Sequence, residues 1–242
     1  MIESYEDGIY VAMPDNAVSG RLSWVLACHG SGRCALSYRD VPFYARQRDI
    51  AINAGFCFVA CDMGPDTYGT PRGLYILDKS YEYIEKNYPV YHKAALWASS
   101  AGGCVMFRFA QTYPDRVALL MGIFPIWDMS SGIHLKSMQN AWGGLCGDEL
   151  LQRITPYNPA NHPELLPNIP IVIAQGLNDR AVSPRDNSLM LKAALGDCVM
   201  LHLTDDEHSA EAFGLYDTPL FSNAMIKLRS SQQSSDSLAG SD

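Results

Sequence analysis

The stretch Ala94-Ala95-Leu96-Trp97-Ala98-Ser99-Ser100-Ala101-Gly102-Gly103 passes from apolar residues into small ones. A serine on a sharp turn between a strand and a helix raises its hydroxyl above the sheet edge. That turn requires small residues two before and two after the serine. Ser100 meets the requirement through Ala98 and Gly102, whereas Ser99 would place Trp97 at the crowded position. The chemistry this allows is nucleophilic attack, with the helix start behind Ser100 presenting N–H groups and a positive dipole end to developing negative charge. Tight packing of a helix on a strand is the simpler alternative for such a run.

Three further segments carry groups that a serine nucleophile needs. After the apolar run WVLAC comes His29-Gly30-Ser31-Gly32. Glycines there let the backbone turn its N–H groups toward an oxyanion, so the amides of Ser31 and Ala101 are the candidate donors, with Gly32 as an alternative to Ser31. His29 reads as a residue that ties the loop down. After IVIAQ comes Gly176-Leu177-Asn178-Asp179, where Asp179 is placed to accept from a histidine ring N–H. Asp128 competes for that role, while Asp205, Asp206 and Glu207 read as a solvated acidic loop. After VMLHL, His208 is the candidate base, a loop histidine able to reach back over the sheet edge. An exposed helix-start residue is the alternative for it. His202 lies in a strand, His92 precedes one, and His134 and His162 belong to an irregular segment, so structural or solvated roles suit them better.

These groups need a scaffold that brings distant loops to one edge. Apolar runs of strand length at 24–28, 56–62, 94–98, 117–124, 169–175 and 199–203 alternate with helical patterns at 41–54, 74–87, 101–113, 185–195 and 209–228. That alternation predicts a mostly parallel sheet with helices on both faces, with an antiparallel pair near 9–13 able to begin it. The segment 125–167, rich in aromatics and broken by Gly and Pro, reads as an insertion over the site. Residues 1–229 are expected to form one domain. The end, SSQQSSDSLAGSD, has too few apolar residues to pack, so 230–242 is predicted to be a disordered tail.

Composition sets the outer limits. The chain has 242 residues, 48% of them hydrophobic and 18% charged, which is globular composition long enough for one sizeable core. Its 18 basic residues against 26 acidic ones, net −8, provide no footprint for nucleic acid and weakly disfavour strongly anionic substrates. Seven cysteines, an odd number mostly inside apolar runs, predict reduced thiols and a cytoplasmic setting rather than a disulfide framework. Cys57 and Cys61 are too far apart on a strand for a strain-free metal site, so no metal is expected. The acidic start MIESYEDGIY lacks the basic patch and apolar run of a leader, and no segment has the length of a membrane span.

A serine on a strand-to-helix elbow, an HGSG turn, an Asp-bearing loop and a His-bearing loop, in the order Ser, Asp, His at successive strand ends, together resemble the α/β-hydrolase superfamily over roughly 22–228. Ala98 departs from the usual glycine there, a difference of one methyl. The resemblance implies an α/β-hydrolase fold with seven or eight strands, and nucleophile Ser100, acid Asp179 and base His208 meeting at the C-terminal sheet edge. It implies no metal or organic cofactor. Within the superfamily the chain looks like the compact esterase and prolyl-oligopeptidase-like group, acting on a small-molecule ester through an acyl-enzyme. Trp127 and Trp142, with Met129 and Met138, would line the substrate pocket together with Gly32. A peptidase or acyltransferase with the same three residues, and a non-catalytic binding protein on the same scaffold, remain alternatives. A homodimer is compatible with the sequence.

Overall fold

Short apolar runs such as WVLAC, CFVAC and IVIAQG can satisfy their backbones and bury both faces at once only as inner strands of a sheet covered on both sides. The computed structural model describes residues 1–15, 20–166 and 168–239, with side chains described to 236, and those runs are its inner strands. In chain order the strands are β1 (Ile2–Glu6), β2 (Ile9–Met13), β3 (Trp24–Cys28), β4 (Cys57–Cys61), β5 (Ala94–Ser99), β6 (Val117–Ile123), β7 (Ile171–Gly176) and β8 (Val199–Thr204). They lie in the order β1-β2-β4-β3-β5-β6-β7-β8. The first two are antiparallel to their neighbours and the other six run parallel.

Among the described residues eight α-helices accompany the sheet: α1 (Ser37–Asp40), α2 (Pro42–Asn53), α3 (Pro71–Asn87), α4 (Gly102–Thr112), α5 (Lys136–Ala141), α6 (Gly147–Ile154), α7 (Ser188–Leu195) and α8 (Leu220–Ala239). Strand alternation sorts side chains between two cores. Trp24, Leu26, Cys28, Val59 and Leu96 pack with residues of α3, α4 and α7, among them Tyr81, Phe109 and Leu191. Val25, Ala27, Phe58, Ala95 and Trp97 pack against α2 and α8, where Trp97 stacks on Phe221 with ring centroids 4.9 Å apart. The chain moves outward from β3 to β4 and then crosses back to β5, so the sheet order reverses between β3 and β5. Cys28 pairs with Ala98, and the loops after the two strands therefore emerge side by side. A crevice at the carboxyl ends of the strands where order reverses is where open α/β sheets bind ligands.

Three expectations change. The helix expected over 185–195 begins only at Ser188, because buried Asn187 turns the chain before it. Its Oδ1 accepts from the amides of Trp127 at 2.8 Å and Asp128 at 3.0 Å. The helix expected over 209–228 is divided into a 3-10 turn at Phe213–Tyr216 and α8 from Leu220. The predicted disordered tail is helical through Ala239, and 240–242 lie outside the described residues. Once Phe221 and Met225 anchor α8 on the sheet, each added turn only propagates an existing helix. Ser230, Ser234 and Ser235 donate to carbonyls four residues back, Ser234 to Ser230 at 2.9 Å, and Gln232 donates to the Lys93 carbonyl at 3.0 Å while accepting from Ser23 Oγ at 2.7 Å.

Two stability predictions follow from the crossing point. A Cβ at Gly102 would overlap the Cys28 carbonyl oxygen and stand 2.7 Å from that of His29, both rigid backbone. Gly102→Ala should therefore lower unfolding free energy in urea by about 2 kcal/mol or more, the scale of a forced backbone shift; an unchanged midpoint would refute the close approach. His29 is buried, its Nδ1 donates to the Gly30 carbonyl at 3.0 Å, and its Nε2 has no partner among the described residues. Burial pushes the imidazole below its ordinary value, opposed by the Gly30 hydrogen bond and by Asp62 and Asp66. Because the folded value is the lower one, the unfolded chain takes up the proton first, so stability present above about pH 6.5 declines as pH falls through that value toward the folded one. Between pH 7.5 and 5.5 the urea midpoint of the wild type should fall further than that of His29→Asn; equal falls would remove His29 from the account.

Candidate active site

Ser100 follows β5 directly and has φ of 51°, in the left-handed region that side chains other than glycine avoid. Its backbone is held from three directions. The Ser100 amide donates to the Ile123 carbonyl at 3.2 Å, and its carbonyl accepts from Gly103 at 2.9 Å and from Ile126 at 3.0 Å. Gly102, having no Cβ, lets α4 start against the end of β3. This is the strand-to-helix elbow expected from the small residues around Ser100.

Four non-glycine residues have positive φ in the described chain, and three of them, Tyr68, Ser100 and Phe124, line one cavity of about 330 Å³. Strained backbone costs of order 1–3 kcal/mol per residue and persists where packing over-determines it, most often at functional sites. Gly30, Ser31 and His208 also line this cavity. Sequence reasoning did not single out Tyr68 or Phe124. Their only signals were the neighbours Gly69 and Pro125, which mark turns without saying what those turns face.

His208 Nδ1 donates to Asp179 Oδ2 at 2.8 Å, an oxygen of a carboxylate with no solvent-exposed side-chain surface. The same carboxylate is fixed by three more donors. Oδ1 accepts from the amides of Ala181 at 2.9 Å and Val182 at 2.7 Å, and Oδ2 accepts from Gln175 Nε2 at 3.2 Å. Four donors suit an ionised, immobile acceptor. The imidazole is also packed: its ring centroid lies 4.2 Å from that of Phe124, which in turn stacks on Phe43 at 5.5 Å. With Nδ1 turned to Asp179, Nε2 is the nitrogen left to serve the cavity.

The competing acid Asp128 is engaged elsewhere. It caps the 3-10 turn after it, accepting from the Ser130 amide at 2.9 Å, from Ser130 Oγ at 2.6 Å and from Asn158 Nδ2 at 2.6 Å. Of the candidate oxyanion donors, Ser31 lines the cavity and Ala101 immediately follows the elbow. Neither amide donates to a backbone carbonyl among the described residues, whereas Gly32 N is engaged with the Pro65 carbonyl at 2.6 Å.

The three expected substrate contacts, Gly32, Trp127 and Trp142, do not line the Ser100 cavity among the described residues. Trp127 is buried beside α4 with its ring edge-on to Phe107 at 4.9 Å. Trp142 donates to the Tyr68 carbonyl at 3.2 Å and lines a separate cavity of about 630 Å³. The physical reason is that the segment after β6 needs a core of its own. Ile126, Met129, Met138, Leu150 and Ile154 cluster with Tyr68, Ala101 and Cys104 instead of opening toward the serine. Leu135 and Ser137 are the segment's residues that reach the cavity, Ser137 through a 2.6 Å hydrogen bond to Tyr68. Cys104 is buried one turn into α4 and burial pushes its thiol far up. Among the described residues no group of three or more His, Cys, Asp or Glu could hold a metal ion, and no helix is long and apolar enough to cross a membrane.

No family model and no curated protein matches the sequence. Solved structures do match in shape. S-formylglutathione hydrolase FrmB from Staphylococcus aureus aligns with TM-score 0.70 at 13% identity over 93% of this chain and 97% of that one. Est1E from Butyrivibrio proteoclasticus aligns with TM-score 0.68 at 16% identity over 96% and 98%. An oligopeptidase B from Leishmania major aligns with TM-score 0.63 at 12% identity over 91% of this chain but 33% of its own. With its eight-stranded, mostly parallel sheet reversing at β3 and β5 and a serine on the elbow between β5 and α4, the chain has the α/β-hydrolase fold.

Proposed function

We propose that the protein is a serine hydrolase that cleaves carboxylic esters of small or medium acyl groups through an acyl-enzyme. The observation that carries this reading is the 2.8 Å bond from His208 Nδ1 to buried Asp179, on a histidine that shares one cavity with the strained Ser100. FrmB, named an S-formylglutathione hydrolase and covered by this chain over 97% of its length, supports it.

The steps follow from the arrangement. His208 Nε2 takes the Ser100 proton as Oγ attacks the acyl carbonyl, and Asp179 keeps the ring oriented and stabilises the imidazolium that forms. Charge on the carbonyl oxygen is met by the amides of Ser31 and Ala101, which are preorganised by the turns that carry them. His208 then protonates the leaving alkoxide, and water activated by the same nitrogen releases the acid. The cavity of about 330 Å³ is at the small end of ligand sites, which favours short acyl chains.

The test uses a short-chain nitrophenyl ester and a fluorophosphonate. The wild type should turn over the first and be labelled by the second, and Ser100→Ala should lose both. Asp179→Asn should cost about 10³ to 10⁴ in kcat, because the histidine loses the partner that fixes its tautomer. Asp128→Asn should stay within about threefold. A wild type that neither turns over nor labels would sink the catalytic reading in favour of a binding protein. An Asp179→Asn variant with near-normal turnover would reassign the acid. Peptide amides cleaved as fast as esters would move the protein toward the peptidases.

A further inference from the structure

The Ser100 cavity holds one permanently charged residue among its described lining residues, Arg33, and no carboxylate lines it. Arg33 is half-buried, with its guanidinium carbon 5.7 Å from the centroid of the Tyr44 ring. Buried or half-buried guanidinium groups are ordinarily neutralised by a carboxylate. Here the neighbouring carboxylates are engaged by other groups. Asp62 accepts from the Ala35 amide and from Tyr5 OH, each at 2.6 Å; Asp66 accepts from Ser31 Oγ; Asp40 pairs with Arg39 at 2.7 Å. Asp179 is fixed by its four donors.

The adjoining region has the same sign. Across the loop at Pro65 and Asp66, the cavity of about 630 Å³ is lined by Arg72 and Arg153, with Asp66 its single described carboxylate. The arginines that do form ion pairs among the described residues are Arg39, Arg48 and Arg116, all elsewhere. Of the arginines without an ion pair among the described residues, Arg33, Arg72 and Arg153 line these two cavities, whereas Arg21 and Arg229 lie away from them, so a chain of net −8 presents guanidinium groups to the crevice where the serine sits. Charges in a partly desolvated cavity are screened less than those on the open surface, so local sign outweighs net charge in choosing a ligand.

We infer that Arg33 is a specificity residue that binds an anionic group of the substrate, which makes the substrates carboxylate-bearing esters and not neutral ones. This rests on the serine-hydrolase reading and refines it. A guanidinium presents paired donors to a carboxylate, and such a contact contributes enough for about a tenfold preference. The weak bias against anionic substrates expected from net charge is reversed by this local arrangement.

Two matched pairs of esters test it: nitrophenyl hemisuccinate against nitrophenyl butyrate, with the carboxylate on the acyl side, and 4-butyryloxybenzoate against phenyl butyrate, with it on the alcohol side. The wild type should prefer the anionic member of at least one pair, and the pair that shows preference tells which half of the substrate Arg33 meets. In Arg33→Gln the ratio of kcat/KM for anionic over neutral ester should fall about tenfold, mainly through KM, and Arg33→Lys should restore part of it. The preference should also shrink as salt is raised from about 0.05 to 0.5 M. No preference in either pair, or a ratio unchanged in Arg33→Gln, would overturn the assignment and leave Arg33 as packing for Tyr44. A wild type that hydrolyses none of the four esters and takes no fluorophosphonate would instead overturn the hydrolase reading.

Discussion

The site depends on how closely the start of α4 approaches the end of β3. Only a residue without Cβ fits against the Cys28 and His29 carbonyls, and Gly102 is that residue. Its fit forces the chain to turn from β5 into α4 in a single step, which places Ser100 in the left-handed region with its hydroxyl outward. The same approach brings the loop after β3 alongside, so that Gly30 and Ser31 share a wall with Ser100. The geometry of Ser100 and the position of the candidate oxyanion amides thus arise from one steric constraint.

The elbow stands on a buried polar base. Ser99 is fully buried and accepts from Gln47 Nε2 at 2.7 Å; Gln47 also donates to Tyr216 OH at 3.1 Å, and that hydroxyl donates to the Phe43 carbonyl at 2.8 Å. These contacts join β5, α2 and the turn that follows His208. Buried networks of this kind tolerate few alternative arrangements. Phe43 and Phe124 continue the link to the His208 ring from the same side, so Ser100 and His208 are referenced to common supports.

The segment between β6 and β7 illustrates a competition between covering a site and folding. Its apolar side chains are numerous enough to form a local core, and burial of that surface is favourable wherever it occurs. They therefore close on α4 and Tyr68, and the segment shapes the cavity indirectly, by holding Tyr68 and presenting Ser137. The pocket's character then comes from the loop after β3, which contributes Arg33, and from the aromatic side chains of α2.

The sequence alone determined the inner strands, because continuous apolar runs of five to seven residues have one comfortable environment. It also singled out Ser100 over Ser99 as the residue on the turn, since the crowding at Trp97 is a local steric matter, and it put Asp179 and His208 forward as candidates through their positions after strands. Tertiary structure decided what depends on distant partners. Asp179 and Asp128 differ in which donors converge on each carboxylate, and those donors come from residues up to thirty positions away. Trp127 and Trp142 have the composition of pocket residues but are drawn into packing by Phe107 and Tyr68, contacts no spacing rule reveals. The serine-rich end, polar enough to stay unfolded alone, is helical because an anchored helix precedes it. Net charge is readable from composition; the sign of the charge facing Ser100 is not, because it depends on which guanidinium groups the fold leaves without a carboxylate.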